Sequence, residues 1–338
     1  SGPVALGGGQ PEVDDTGTEC RALDPVTLPE GARAYLDGLL DVVAAQTALA
    51  ITRARVDRHR RGADSVLDGH LPRPGETGGS SERASVAHAL ARVAAATGLA
   101  AQHSELAQAQ RRLPPFLELL GDFGLDDIQA QVLLVVLAPS VRGEIAELYR
   151  ELAGDSRRAL CDRYLIEVIV GGESSARRAA VARAVAPGSA LVDSCLLRVA
   201  DHPAGEYLFA PVTVDPTVLV RVCDRPLGDL GVAVTRHQAE RPLAEVVVPD
   251  DFKQRALAAL TGSGREGLRL FILGSRGSGR RTLCAALAMA TGRRLAVIDV
   301  RLLPRDARAM SEELRRILQR TRVLAMVTCI SGIETIDD

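Results

Sequence analysis

One stretch constrains this chain more than any other: residues 268–283, Leu-Arg-Leu-Phe-Ile-Leu-Gly-Ser-Arg-Gly-Ser-Gly-Arg-Arg-Thr-Leu. An apolar run, Leu268 to Leu273, stops at Gly274, and glycines recur at 277 and 279. An Ala/Leu-rich segment, Thr282 to Ala290, and a second apolar run, Leu295 to Val300, follow. The pattern predicts strand, glycine loop, helix and strand, the context in which backbone N–H groups wrap an anion. Glycine reaches positive φ at low cost and lets the main chain approach a ligand closely. The helix start adds roughly half a positive charge at the same point. The candidate binding residues are therefore Gly274, Ser275, Arg276, Gly277, Ser278, Gly279, Arg280, Arg281 and Thr282. The simpler alternative is a strand–turn–helix in which the glycines make only the turn.

The stretch resembles the Walker A loop of P-loop NTPases, which implies ATP as the ligand. Against G-x-x-x-x-G-K-[ST], Gly274 and Gly279 fit, but Arg280 stands at the lysine position. Arg281 stands at the position of the magnesium-binding Ser/Thr, and Thr282 comes one place late. One residue along a helix turns a side chain by about 100°, so Thr282 is a poor substitute. Arginine keeps the charge of lysine but not its compact shape. Nucleotide binding is expected to survive these changes better than hydrolysis, and Mg2+ is a doubtful ligand here.

Composition narrows the remaining choices. A chain of 338 residues suffices for two or more domains. It is 46% hydrophobic but only 3% aromatic, so its cores must be built from Ala, Val and Leu. The net charge of −2 gives no global attraction to nucleic acid or anionic membrane. Six cysteines (20, 161, 195, 223, 284, 329) show no C-x-x-C pair, and read as reduced thiols of a cytoplasmic protein. Scattered histidines argue against a metal site. Uninterrupted apolar runs are only strand-sized, so neither a secretory signal nor a membrane span is expected. The first residues, Ser-Gly-Pro, and the last, Ile-Asp-Asp, suggest a fragment of a longer protein.

Residues 1–81 read as a disordered or linking segment with one amphipathic helix, about 29–60, where Tyr35, Leu36, Leu39, Leu40 and Val43 share a face. Its arginines 53, 55, 58, 60 and 61 are favourable charges near a helix C-terminus rather than a nucleic-acid patch. Residues 82–225 read as a helical domain. A long Ala-rich helix, Glu82 to Arg112, opens it, and Gly124 followed by Asp126 marks a helix stop and a new start. Helix 126–138 is apolar nearly all round, hence central, and should break at Pro139. Helices 141–153, 157–170 and 174–186 follow. The period then changes, and two apolar runs, Leu191–Val199 and Tyr207–Phe209, predict a β-hairpin. Helices followed by a hairpin wing give a winged-helix-like arrangement. Helix 174–186 carries Arg177, Arg178 and Arg183, yet the charge balance favours a protein-binding domain over a DNA-binding one. Residues 226–249 are a connector, and 250–338 begin an α/β P-loop unit.

Two further blocks carry a family resemblance. Phe123-Gly-Leu-Asp-Asp-Ile-Gln-Ala-Gln-Val-Leu-Leu-Val-Val-Leu-Ala-Pro, continuing to Leu148-Tyr149-Arg150, and Leu196-Leu-Arg-Val with Phe209-Ala-Pro-Val-Thr-Val-Asp-Pro-Thr-Val-Leu, resemble the N-terminal region of certain large bacterial AAA+ ATPases. Some of these are associated with contractile injection systems. The resemblance covers residues 115 to 338. It implies a winged-helix-like domain followed by a first, degenerate AAA+ module, incomplete in this chain. After helix 305–320, the strand from Val323 should end in Walker B acids, but Cys329-Ile-Ser stands there. Glu334, Asp337 and Asp338 come later, as ordinary surface acids. In the family's 5-1-4-3-2 sheet order, strand 268–273 would lack both neighbours here and expose an apolar ladder.

The fold expected is thus mostly α with a β-hairpin wing, then an incomplete α/β P-loop (AAA+) domain. The function implied is ATP-driven remodelling of a protein complex, with a homo-oligomeric ring as a possible assembly. ATP hydrolysis belongs to the intact protein, not to this segment alone; nucleic acid and membrane are not expected partners. The alternatives are a winged-helix DNA-binding regulator with a nucleotide-sensing module, and a non-catalytic scaffold.

Overall fold

The computed structural model describes residues 30–65, 77–109, 113–155, 161–200, 207–223, 230–261, 270–275 and 277–333. Two long helices, α1 (Glu30–Ser65) and α2 (Thr77–Ala109), pack as a hairpin. Within the stretch 1–81 expected to be disordered or linking, residues 1–29 and 66–76 lie outside the described residues. The glycine-rich start at 77–80 is already helical.

α3 (Pro115–Phe123) and α4 (Asp127–Val141) meet at the predicted stop and start. Gly124 ends α3 in the left-handed region, φ 60°. Asp126 then caps α4 reciprocally: its side chain accepts from Gln129 N at 2.8 Å, and its own N–H donates to Gln129 Oε1 at 3.0 Å. Leu133, Leu137 and Ala138 of α4 are fully buried, which explains its all-round apolar sequence. The expected break at Pro139 does not occur there. The proline falls in the last turn, and α4 runs on to Val141.

α5 (Gly143–Ala153) follows, its Tyr149 buried with the hydroxyl donating to Val135 O at 2.8 Å. Leu148, expected in the core, is only half-buried; the core face of α5 is Ile145, Ala146 and Tyr149. α6 (Arg163–Ile166) continues into a π-helical turn, Glu167–Gly171, and α7 (Ser175–Ala184) and α8 (Ala190–Asp193) complete the helical set. α1 contributes Tyr35, Leu36, Leu40 and Val43 to the same continuous core.

The wing is real but shifted. β1 (Leu197–Val199) pairs antiparallel with β2 (Val212–Val214), whereas Leu191 sits in α8 and Tyr207–Phe209 form a 3₁₀ turn. The reason is what each run can bury. Val212 N donates to Cys161 O at 3.0 Å and its side chain enters the core, while Leu208 and Phe209 stay partly exposed, Phe209 against Tyr164. α9 (Pro216–Cys223) closes this half.

The remaining elements are β3 (Val234–His237), α10 (Asp250–Thr261), α11 (Arg280–Ala290), β4 (Leu295–Asp299), α12 (Ala307–Val323) and β5 (Val327–Ser331). β4 is the middle strand: β5 lies parallel on one side, and β3 lies antiparallel on the other. A parallel pair requires a crossover, and α12 supplies it. Of the strand expected over 268–273, the described residues 270–273 form no part. Residues 270–273 join no ladder, and Phe271 and Leu273 are 79% and 93% exposed. A strand exists only through its neighbours, and both edges of β4 are already taken.

α12 joins the two halves. Val323 belongs to the helical core, Arg221 donates to Val323 O at 3.0 Å, and Gln319 donates to Asp193 O at 3.0 Å. The Arg322 guanidinium lies 4.7 Å from the centre of the Phe123 ring.

α1 and α2 each contain a window long and apolar enough to cross a membrane, unlike the strand-sized runs on which the sequence expectation rested. Polar residues interrupt the runs without lowering the helix average. The α1 window is 56% buried against the protein, the pattern of a core helix; the α2 window is 11% buried.

Candidate functional site

The glycine loop leads straight into α11. Gly277 and Gly279 adopt φ of 84° and 75°, a region where an L side chain is strained. At Gly274 the constraint is space, since a Cβ there would meet Ser278 Oγ at 2.7 Å. Ser278 N donates to Ser275 O at 3.2 Å, tightening the turn. Gly279 occupies the N-cap position of α11 with no capping side chain, and the helix ladder begins with Leu283 N donating to Gly279 O at 2.9 Å. The N–H groups of residues 280–282 precede that first bond, so they have no partner within the helix.

Among the candidate residues, Gly274, Ser275, Gly277, Ser278, Gly279, Arg280, Arg281 and Thr282 are all exposed around this turn. Arg276 lies outside the described residues. Arg280 and Arg281 form no ion pair among the described residues. The charge of Arg281 nevertheless reaches His237, Asp299 and Cys329, one residue on each of the three strands. Asp299, ending β4, is held down to about 2, first by the hydrogen bond from Arg301 Nε at 2.8 Å, with help from the Arg301 and Arg281 charges.

Magnesium does not fit this turn. The position that the Walker A resemblance would give to a magnesium ligand is the cation Arg281, β5 ends in Cys329, Ile330 and Ser331, and Asp299 is tied to Arg301. No group of three or more His, Cys, Asp or Glu among the described residues could hold a metal ion. Glu334, Asp337 and Asp338 lie outside the described residues.

The winged half presents the opposite chemistry. On α7, Arg177 Nε donates to Val170 O and Arg178 Nε donates to Gly172 O, each at 2.7 Å. These guanidiniums serve carbonyls left over at the end of the π-helical turn. The packing is close enough that a Cβ on Gly171 would lie 2.6 Å from Arg178 Cγ. Arg198 of the wing donates to Asp215 at 2.7 Å. On α1, Arg53 pairs with Glu173 and Arg55 with Glu151. Sequence reasoning missed these roles, because the acceptors are either carbonyls exposed by local geometry, for Arg177 and Arg178, or carboxylates far away in sequence, for Arg53 and Arg55.

Asp215 is one of the enclosed charges of this half, with Asp162 and Arg163, its side chain 2% exposed. It accepts from Thr217 N at 3.0 Å and Thr217 Oγ1 at 2.7 Å, and Arg320 of α12 lies 3.7 Å away. Burial pushes its carboxyl up, but the Thr217 hydrogen bonds and the Arg320 and Arg198 charges outweigh burial and hold it below the usual range.

A winged helix domain (variant) matches residues 30–226. No curated protein and no solved structure matches. With well over half of its length matched, and with a β1–β2 wing behind a helical core, the chain belongs to the winged helix domain (variant) family.

Proposed function

We propose that this chain is the N-terminal part of an AAA+ ATPase in which the winged helix domain recognises a protein complex and the glycine loop binds nucleotide. The observation that carries this reading is the turn at 274–282, with two left-handed glycines, a close approach at Gly274 and an uncapped helix start. An anion there would meet main-chain N–H groups and two exposed arginines, a setting suited to phosphate. The β4–α12–β5 crossover behind it is consistent with an α/β nucleotide fold, and the resemblance of residues 115–338 supplies the AAA+ assignment. ATP is the expected ligand. Hydrolysis is assigned to the intact protein, with this module degenerate, since Arg281 and Cys329 stand where metal and water would be managed. A homo-oligomeric ring and a cytoplasmic location accompany this reading; free cysteines 161, 195, 223, 284 and 329 agree with the latter. The DNA-regulator alternative finds less support, because a winged helix reading DNA needs free basic groups on one face.

The test is nucleotide affinity and turnover in the full-length protein, wild type against Arg280→Lys and Arg280→Lys/Arg281→Thr. The expected result is binding without turnover at this module, and tighter Mg-nucleotide binding by the double variant. Turnover by the wild-type module at an ordinary AAA+ rate would contradict the reading. Absence of binding in every variant would leave the scaffold alternative.

A further inference from the structure

The helical core leaves α2 almost uncovered. The apolar window within its residues Ser81–Leu106 is 11% buried, although the helix lies along α1. Its covered or half-covered residues recur at alternating spacings of three and four: Val86, Ala89, Val93, Ala96 and Ala100. That is the seam facing α1, where Gly38 lies against Ala100 and His103. At about 100° per residue, the opposite half of α2 holds Ala87, Leu90, Ala94, Gly98, Leu99 and Ala101. All six are exposed, Leu90 at 45% and Leu99 at 54%. From Ala84 to Gln102 this half carries no Asp, Glu, Lys or Arg, and Arg83 and Glu105 bound it at its two ends.

Gly98 adds a second observation. Glycine is unfavourable inside a helix, so its place there needs a reason. For Gly38 of α1 the reason is α2 itself: a Cβ would lie 3.3 Å from His103 Cδ2 and 3.4 Å from Ala100 Cα. A Cβ on Gly98 would meet nothing within 4 Å. No close packing among the described residues accounts for this glycine.

Charge distinguishes the possible occupants. Arg83 and Glu105 stand eleven residues either side of Ala94, and neither forms an ion pair among the described residues. Two copies of α2 running antiparallel, with Ala94 on the two-fold axis, bring each Arg83 level with the other copy's Glu105. The same register sets Leu90 level with Gly98 of the second copy, a bulky side chain beside bare backbone. A lipid surface fits less well. Helices that lie on bilayers carry an excess of Lys and Arg, whereas the described charges of α2 are balanced: Glu82, Arg83, Arg92 and Glu105.

We propose that the exposed face of α2 pairs with the same face of a second copy of this chain, antiparallel about a two-fold axis near Ala94. Such a contact is closed. It makes a dimer and stops there, unlike the head-to-tail contacts that build a ring. It joins two winged halves through their helical hairpins, and it stands independently of the nucleotide reading.

The test is sedimentation equilibrium of the whole 338-residue chain over a series of concentrations, with Arg83→Glu, Glu105→Arg and the double exchange. Wild type is expected to approach twice the mass of the chain as concentration rises. Each single exchange sets like charges level with one another at both ends of the contact, and should weaken dimerisation roughly tenfold. The double exchange restores opposite charges and should recover wild-type association, a rescue that damage to folding would not give. Both positions are exposed, so circular dichroism should show the same helix content in every variant. Gly98→Arg, which places a charge near the centre of the face, should leave a monomer. A wild-type chain that stays monomeric throughout, or dimers indifferent to the exchanges, would overturn the proposal. A monomer that cosediments with phosphatidylcholine vesicles would also overturn it, since the face would then belong to lipid.

Discussion

The two halves of this molecule use the same residues in opposite ways. In the winged half, Asp126, Asp162, Ser174 and Ser189 cap the starts of four helices, and Arg177, Arg178, Arg198 and Arg221 serve carbonyls or carboxylates. In the loop module, α11 starts from a bare glycine, and Arg280 and Arg281 stand exposed beside it. Apolar residues divide likewise. Leu133, Leu137 and Leu165 are sealed in one core, while Leu270, Phe271 and Leu273 face solvent. The difference separates a half built for stability from one whose groups are left for something else to meet.

The largest test of that contrast is in the apolar residues. Leu165→Ala should cost about 2–5 kcal/mol in denaturant unfolding, through lost burial and a residual cavity. Leu273→Ala should stay within about 0.5 kcal/mol, as exposed positions do. Similar losses at both sites would show that the 270–273 segment is packed after all.

Next in size is the buried charge at the seam. Asp215→Ala should cost about 2–3 kcal/mol, because hydrogen bonds to a charged group and the pairing with Arg198 and Arg320 go together. The pH dependence has a definite sign. The folded carboxyl is held below its unfolded value of about 3.9, so its stabilisation is complete above that value and is lost as pH falls through the folded one. Unfolding midpoints measured from pH 6 down to about 2 should therefore fall less steeply in Asp215→Asn than in wild type.

Smaller still are the two helix starts. Asp126→Ala removes the side-chain acceptor for Gln129 N, keeps the backbone N–H that donates to Gln129 Oε1, and should cost about 1 kcal/mol. Gly279→Ala should cost a similar amount for a different reason, the left-handed backbone at φ 75°. Only the second should alter nucleotide binding, which calorimetry would separate from the stability change. The smallest expected signal is DNA binding: with its arginines internally engaged, the winged half should bind duplex DNA no tighter than the nonspecific range, about 10⁻⁴–10⁻⁶ M at physiological salt. A salt-dependent titration showing tighter binding would reverse the contrast for this half.

How far the sequence reached follows from the same physics. Helix periodicity and the Gly124–Asp126 punctuation were legible because they depend on neighbours three or four residues apart. The wing was legible as a hairpin but misplaced in its second strand. Tyr-Leu-Phe and Val-Thr-Val are both good strand formers, and only the Cys161 carbonyl and the core behind Val212 choose between them. The strand at 268–273 failed because pairing, not composition, makes a strand. The glycine loop was legible since its conformation is local.

The most direct test of the central claim is hydrogen–deuterium exchange of the chain with and without ATP, each in magnesium and in chelator. The account predicts slowed exchange centred on residues 277–283, of similar size whether or not magnesium is present, with α7 and the wing unchanged. Protection that appears on α7 or the wing instead, or none at the loop at saturating nucleotide, would contradict it.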